Sequence, residues 1–448
     1  VTEEIVSEAA PPKPVEKAGA GAWYTVCMTA VVVMLAQIDK GVMSLLVQPM
    51  KRDLHLTDTQ VSLLIGLAFT LFYVIVGPPV ARIADRSSRK VVVVISLAIW
   101  STATSLCGLA QNFWQMFLGR AIIGGAESGS SPASVSMIAD VIPRHQLPRA
   151  YAIYNAGFIG GVALALLFGG LIFGALEHVK PFHIPGLGTL HNWHFVFIIV
   201  GLPGLFVAAL MMLTVPEPKR KGLVKPKGYT LREVIGFVAA NRAMHGPLLA
   251  AFLFNSMSSF GTLAWMPAFF ERTYGWGPAV TGAAMGTGNL ICTFIGLFVG
   301  ARVAEWMSLK RDDAHVRMLF IAHLAAVPFL LAGPLMPNPW LSVACVGLAQ
   351  GCAASGSPSQ NSAFQLATPN AMRSQINALY LFVIAGVGGM LGPLAIALLT
   401  DFVAGKEEDL RYVLFGYRVL ILPIDLILVW LAIKPYGKLV RERLIAGD

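Results

Sequence analysis

Charge is what this 448-residue chain has least of: Asp, Glu, Lys and Arg together make up 13%, and apolar residues 56%. A soluble domain carries roughly 25% charged residues. A surface this poor in charge excludes a string of soluble domains and must largely face something other than water. The five cysteines (Cys27, Cys107, Cys292, Cys345, Cys352) all fall in apolar runs, without a CxxC or a Cys/His set. That excludes a disulfide framework and a thiolate metal site. No GxxxxGK[ST] occurs, so nothing here cradles a nucleotide for ATP-driven work. No clustered His/Asp set stands ready for a lipid-modifying membrane enzyme, the weakest of the readings considered. Residues 1–21 are rich in Pro, Glu and Ala without an apolar core, so they read as a disordered tail, not a cleavable signal. An N-x-Ser/Thr sequon is missing throughout, which points to a prokaryotic inner membrane.

What is present is apolar sequence in long runs. About 20 such residues cross a bilayer core. Twelve candidates follow: 22–50, 59–83, 90–110, 113–139, 148–174, 193–215, 244–270, 279–304, 316–336, 339–366, 373–403 and 411–434. The expected fold is therefore all-α and integral to the membrane, with six-helix bundles at 22–215 and 244–434 and a tail at 435–448. Of the 33 Lys and Arg, 24 fall at the termini and after even-numbered spans, six on the other side and three inside spans. The positive-inside rule places both termini in the cytoplasm. The net charge of +9 is thus spread by topology, not gathered into a nucleic-acid-binding face.

Between the bundles, 216–243 reads as a basic linker and then an amphipathic helix carrying Leu231, Val234, Ile235 and Val238. The segment 175–193 reads as an ordered loop on the outer side. Its His191 and His194 lack a third ligand at suitable spacing, so no metal is expected there.

The chain repeats itself. NFWQMFLGRAIIGGAESGSSP, ending at Pro132, aligns without gaps on NPWLSVACVGLAQGCAASGSP, ending at Pro358. The same offset superposes Pro143 on Pro369 and Tyr154 on Tyr380, and ARIAD at 81–85 answers ARVAE at 301–305. Two parallel six-span halves suit a transporter that rocks one bundle against the other.

Ionisable residues inside spans are functional candidates by default. Asp39 and Lys40 interrupt span one; Arg120 and Glu127 lie seven residues apart on one face of span four. Asp39 and Glu127 are the candidate proton-coupling acids. Arg120 offers a planar fork of donors for a carboxylate or phosphate. Arg120, Glu127, Lys40, Tyr154, Asn255, Ser256 and Tyr380 are the candidate substrate-binding residues. Arg418 and Asp425 repeat the seven-residue spacing in span twelve with no evident partner. On this reading the coupling machinery lies in spans one and four, and the second half supplies neutral polar and apolar walls.

These features resemble the major facilitator superfamily. ARIADRSSRK at 81–90 is similar to its loop motif between the second and third helices. The resemblance implies a gating role for Asp85, Arg86, Arg89 and Lys90, with Glu305 at the repeat position. Within that superfamily the chain resembles the Spinster family, bacterial members especially. The stretches that carry this are IDKGVMSLLVQPMKRDL at 38–54, LLIGLAFTLFYVIVGPPVARIADR at 63–86, GRAIIGGAESGSSPAS at 119–134 and AWMPAFFER at 264–272. Where the family has Asp-Arg in its first helix, this chain has Asp39-Lys40. The resemblance implies alternating-access, proton-coupled transport of an amphipathic anionic lipid such as a lysophospholipid or sphingosine-phosphate-like molecule. The alternative is transport of small organic anions such as sugar acids. Either way the partners are a small-molecule or lipid substrate, protons and membrane lipids, with no cofactor, no nucleic acid and a monomeric protein.

Overall fold

A computed structural model describes residues 18–143, 146–186, 188–218, 231–369 and 372–446. Ten of the described helices are long and apolar enough to cross a membrane. The two other expected spans are helical as well: span four as Phe113–Glu127 and Ser130–Val141, and span ten as Pro339–Ala367. Both carry Ser/Gly-rich stretches that dilute their hydropathy. The repeat is visible in backbone chemistry. Asn112 and Asn338 each cap their helix, accepting from the amides of Gln115 and Trp340.

Span one begins at Ala20, so the stretch expected as tail ends earlier than 21; residues 1–17 lie outside the described residues. The helix runs to Leu45, breaks at Leu46 and resumes as Val47–Leu54. Pro49, which lacks an amide donor, accounts for the break one turn before it. Span two (Asp58–Arg86) contains a π-helical stretch at Leu63–Leu67, and span eleven contains two, Phe382–Gly388 and Leu399–Ala404. Such bulges widen the helix and break its i→i−4 ladder, and they are frequent at functional sites.

The amphipathic segment is helical over Leu231–Ala240. Its Val234 is buried against the second half's core with Phe237 and Val238, whereas Ile235 is exposed. The segment expected as an outer loop folds as a small antiparallel hairpin, Phe182–Ile184 with Gly188–Leu190.

The two halves touch where span five meets span eight, span two meets span eleven and span one meets span seven. Span five meets span eight so closely that a Cβ on Gly282 would lie 2.3 Å from the Leu166 carbonyl oxygen. Span two's π-helical turn meets span eleven, where a Cβ on Gly66 would lie 3.1 Å from the Met390 carbonyl oxygen. Outward-facing side chains such as Phe206, Leu213, Phe298, Phe402 and Leu420 remain exposed, as a lipid-facing surface requires.

Candidate functional site

The first half gathers four intramembrane charges in one place. Asp39 sits at the inner face of span one, 4% exposed, and Arg120 faces it from span four, 1% exposed. Arg120 Nη1 donates to Asp39 Oδ2 at 3.0 Å, and Thr104 Oγ1 of span three donates to Asp39 Oδ1 at 2.6 Å. Two turns along span four the pairing repeats: Lys40, the residue after Asp39, forms an ion pair with Glu127. Phe69 of span two lies beneath both cations, its ring centroid 4.8 Å from Lys40 Nζ and 5.3 Å from Arg120 Cζ. A cation over a ring face gains about 0.5–2 kcal/mol, more as water is excluded. Glu127 Oε2 has no partner among the described residues, while Oε1 takes the lysine. Spans one and four, read from the sequence as the seat of the coupling charges, thus meet, and both span-four charges pair with span one and not with each other. Thr104 was not singled out in the sequence, where a lone hydroxyl in an apolar run carries no signal.

The other expected binding residues separate. Tyr154 bonds the Ser131 hydroxyl at 3.1 Å, within a cluster of spans one, four and five. Asn255 lines a cavity in the second half. Ser256, one residue on, turns away from it, back-bonds the Leu253 carbonyl and packs where a Cβ on Gly388 would collide. Tyr380 is wholly buried among Phe252 and Phe364, its hydroxyl 2.9 Å from His245 Nδ1. Helix packing claims both residues, so neither lines that cavity.

The loop motif after span two is tied within its own half. Arg89 is buried, pairs with Asp140, reaches Ser136 at 2.8 Å and donates to the Pro218 carbonyl at 3.0 Å. Glu217 receives the Ser88 hydroxyl and the amides of Arg89 and Lys90, at 3.1 and 2.9 Å for the amides. Burial disfavours its charge, but these donors and the Arg89 guanidinium outweigh that and hold its carboxyl below the usual range. Lys90 Nζ caps the Met212 carbonyl at 3.1 Å. Arg86 and Glu305 are exposed, and the side chain of Asp85 lies outside the described ones.

At the end away from the chain termini, charges stitch the halves together. Arg272 of span seven clasps Asp58 of span two, and Lys51 bonds the same carboxylate. Lys51 also pairs with Glu407 at 2.7 Å, and Arg52 with Glu271 at 2.7 Å. Thr59 donates its amide and hydroxyl to Asp401 at 2.8 and 2.7 Å. Among the described side chains, every ion pair joining the halves lies at this end. These residues lie near span ends, where a sequence reader expects solvated charge. Nearby, the start of span six is pinned to the helix that continues span one: Trp193 Nε1 donates to Asp53, and His191 Nδ1 lies 2.7 Å from the same carboxylate. Asp53 thus completes a three-group set with His191 and His194, their candidate ligand atoms within 4.8 Å of one another, where the sequence offered two histidines.

The second half is not neutral, contrary to the expectation from sequence. Its cavity is lined by Arg418, Asp425 and His323 together with Asn255, Asn289 and Gln350. His323 supplies the partner that Asp425 lacked in the sequence, at 2.7 Å.

Comparison with known proteins agrees with this architecture. Residues 29–393 match the family model of the Major Facilitator Superfamily. The chain is 27% identical over 429 residues to an MFS-type efflux pump of Mycolicibacterium smegmatis, covering 94% of this chain and 95% of that protein. It is 22% identical over 314 residues to protein spinster homolog 1 of Xenopus tropicalis, covering 66% of this chain and 57% of that one. Among solved structures, the inward-facing, unoccupied form of a bacterial homolog to the human lysosomal transporter Spinster superposes with a TM-score of 0.78. That match has 22% identity and covers 96% of this chain and 98% of the other. A helical membrane chain of two repeated halves, closed by charge at one end and matched by this model over most of its length, belongs to the Major Facilitator Superfamily of secondary transporters.

Proposed function

We propose that the chain carries an amphipathic anionic lipid by alternating access, coupled to protons through the paired charges of spans one and four. The observation that carries this is the buried network Arg120–Asp39 and Lys40–Glu127. Three charges taken from water, with Lys40 at its edge, are tolerated only while they pair. A proton arriving on Glu127 or Asp39 frees a cation, and the freed cation is suited to a phosphate or carboxylate head group. Substrate and proton thereby compete for, or alternate at, the same side chains. The partly exposed Lys40 gives that network a route to the aqueous side. The stitched end is the outer gate, so the state described faces the cytoplasm, and both termini are cytoplasmic at the inner membrane. Arg89, Lys90 and Asp85 belong to the inner gate, which forms when the outer one opens.

Counterflow in proteoliposomes tests the reading. Labelled lysophosphatidylglycerol and labelled gluconate are compared, with and without a pH gradient. Lysolipid exchange accelerated by the gradient is expected; exchange of gluconate alone overturns the lipid assignment. Glu127→Gln is expected to lose gradient-driven uptake and keep exchange. Driven uptake at the unsubstituted rate removes Glu127 as the coupling acid.

A further inference from the structure

The second half holds a buried ionisable set that the coupling scheme above leaves without a task. His323 of span nine is 8% exposed, and Arg418 and Asp425 of span twelve are 1% each. All three line one cavity. Their partners fix the hydrogen positions. Asn255 Nδ2 lies 3.3 Å from His323 Nε2, and Asp425 Oδ2 lies 2.7 Å from Nδ1. A donating amide on one side and a carboxylate on the other assign the proton to Nδ1, leaving Nε2 an acceptor. Turning the Asn255 amide over presents its oxygen instead, and Nε2 can then carry a second proton with its partner kept. Both protonation states of the ring are satisfied at this site.

Arg418 and Asp425 are seven residues apart, which puts them on one helix face about 10 Å apart along the axis. They make no ion pair with each other among the described residues. Arg418 instead donates Nη1 to the Leu330 carbonyl and Nη2 to Thr262 Oγ1, the latter at 2.9 Å. That leaves Arg418 Nε and Asp425 Oδ1 buried and without hydrogen-bond partners. A structural ion pair closes on itself; these two charges stand apart along one cavity.

We propose that this is a second proton and head-group site: the His323–Asp425 pair takes up one proton and Arg418 then binds the anionic head group. The charge count supports the order. With a neutral ring, Asp425 and Arg418 cancel, and an anion gains nothing on entering. One added proton makes the set singly positive, and one bound negative charge returns it to neutral. In a low-dielectric cavity that difference is far larger than in water. The groups facing the pair from spans seven, eight and ten are neutral: Asn255, Asn289 and Gln350, with Arg418 the one other charge lining the cavity among the described residues. A cavity of about 70 Å³ gives a compact anionic group room beside Arg418. The inference rests on the transport reading for its choice of an anionic cargo.

Isothermal calorimetry on the full-length detergent-solubilised transporter, in buffers of differing ionisation enthalpy, counts protons taken up on binding. Lysophosphatidylglycerol and gluconate serve as separate probes, at pH 6 and pH 8. The unsubstituted protein is expected to take up more protons per bound anion than His323→Gln, and to gain affinity in acid that the variant lacks, by about tenfold. Arg418→Gln is expected to weaken binding at both pH values. If His323→Gln is not monodisperse, Asp425→Asn carries the same comparison. Proton uptake equal to that of the unsubstituted protein in the histidine variant, or no binding of either probe, overturns the site. Binding of gluconate but not lysolipid, with proton uptake still dependent on His323, overturns only the lipid reading.

Discussion

Arg272 and Asp58 meet across the two halves through two hydrogen bonds of 2.7 Å, Nη1 to Oδ2 and Nη2 to Oδ1. Both side chains are nearly inaccessible, at 3% and 0%. A bidentate pair out of water is strong while intact, and removing one partner strands the other charge at a cost of about 3–5 kcal/mol. That cost falls on the closed end alone, since an open end rehydrates both groups.

The first prediction follows from this pair. Asp58→Asn is expected to shift the population toward outer-open molecules. Spin labels at Val179 and Leu335, one in each half at that end, report it as a new long-distance component in pulsed electron–electron resonance. An unchanged distance distribution shows that the clasp does not hold the gate.

The second concerns Asp39 and Arg120. Either Asp39→Asn or Arg120→Gln alone leaves a buried charge short of its partner and is expected to lower the melting temperature and abolish transport. The double substitution removes both charges, and buried pairs replaced together are often near neutral in stability. Recovery of the melting temperature without recovery of transport is the expected result. Recovered transport in the double variant marks the pair as packing only.

A third separates neighbouring glycines of span five. A Cβ on Gly157 would lie 2.4 Å from the Ala30 carbonyl oxygen, whereas Gly160 has open space. Gly157→Ala is expected to destabilise by about 1–3 kcal/mol, and Gly160→Ala to change little. Thermal unfolding in detergent reads both.

The fourth uses the Glu217 clasp. Its carboxyl is held below the ordinary value of 4.5, so its contribution is full above that value and is lost as pH falls through the depressed one. Amide exchange at Arg89 and Lys90 is expected to quicken, beyond its intrinsic pH trend, only on such acidification. Glu217→Gln should show quickened exchange already at neutral pH; equal protection in that variant refutes the clasp.

How the site was legible from sequence follows from depth. Asp39, Lys40, Arg120 and Glu127 stood out because charge deep in an apolar run is costly wherever the helix packs. Their partners did not, because pairing depends on how spans one and four cross. Thr104 and His323 were missed since one hydroxyl or imidazole in a span is as readily a helix-packing residue. Ser256 and Tyr380 carry the same ambiguity: their helix faces point to Gly388 and to Phe364, away from the second-half cavity.

The sequence by itself determined twelve helical spans, their two-fold repeat and the depth of each buried charge, since these depend on hydropathy and local spacing alone. Only the tertiary structure decided which charges meet. It set Asp39 against Arg120 and Lys40 against Glu127 in the first half, gave Asp425 a histidine in the second, and turned span-end charges such as Arg272 and Asp58 into a closure. Each of these joins residues from 81 to 214 positions apart, and only the packing of whole helices fixes contacts at that separation.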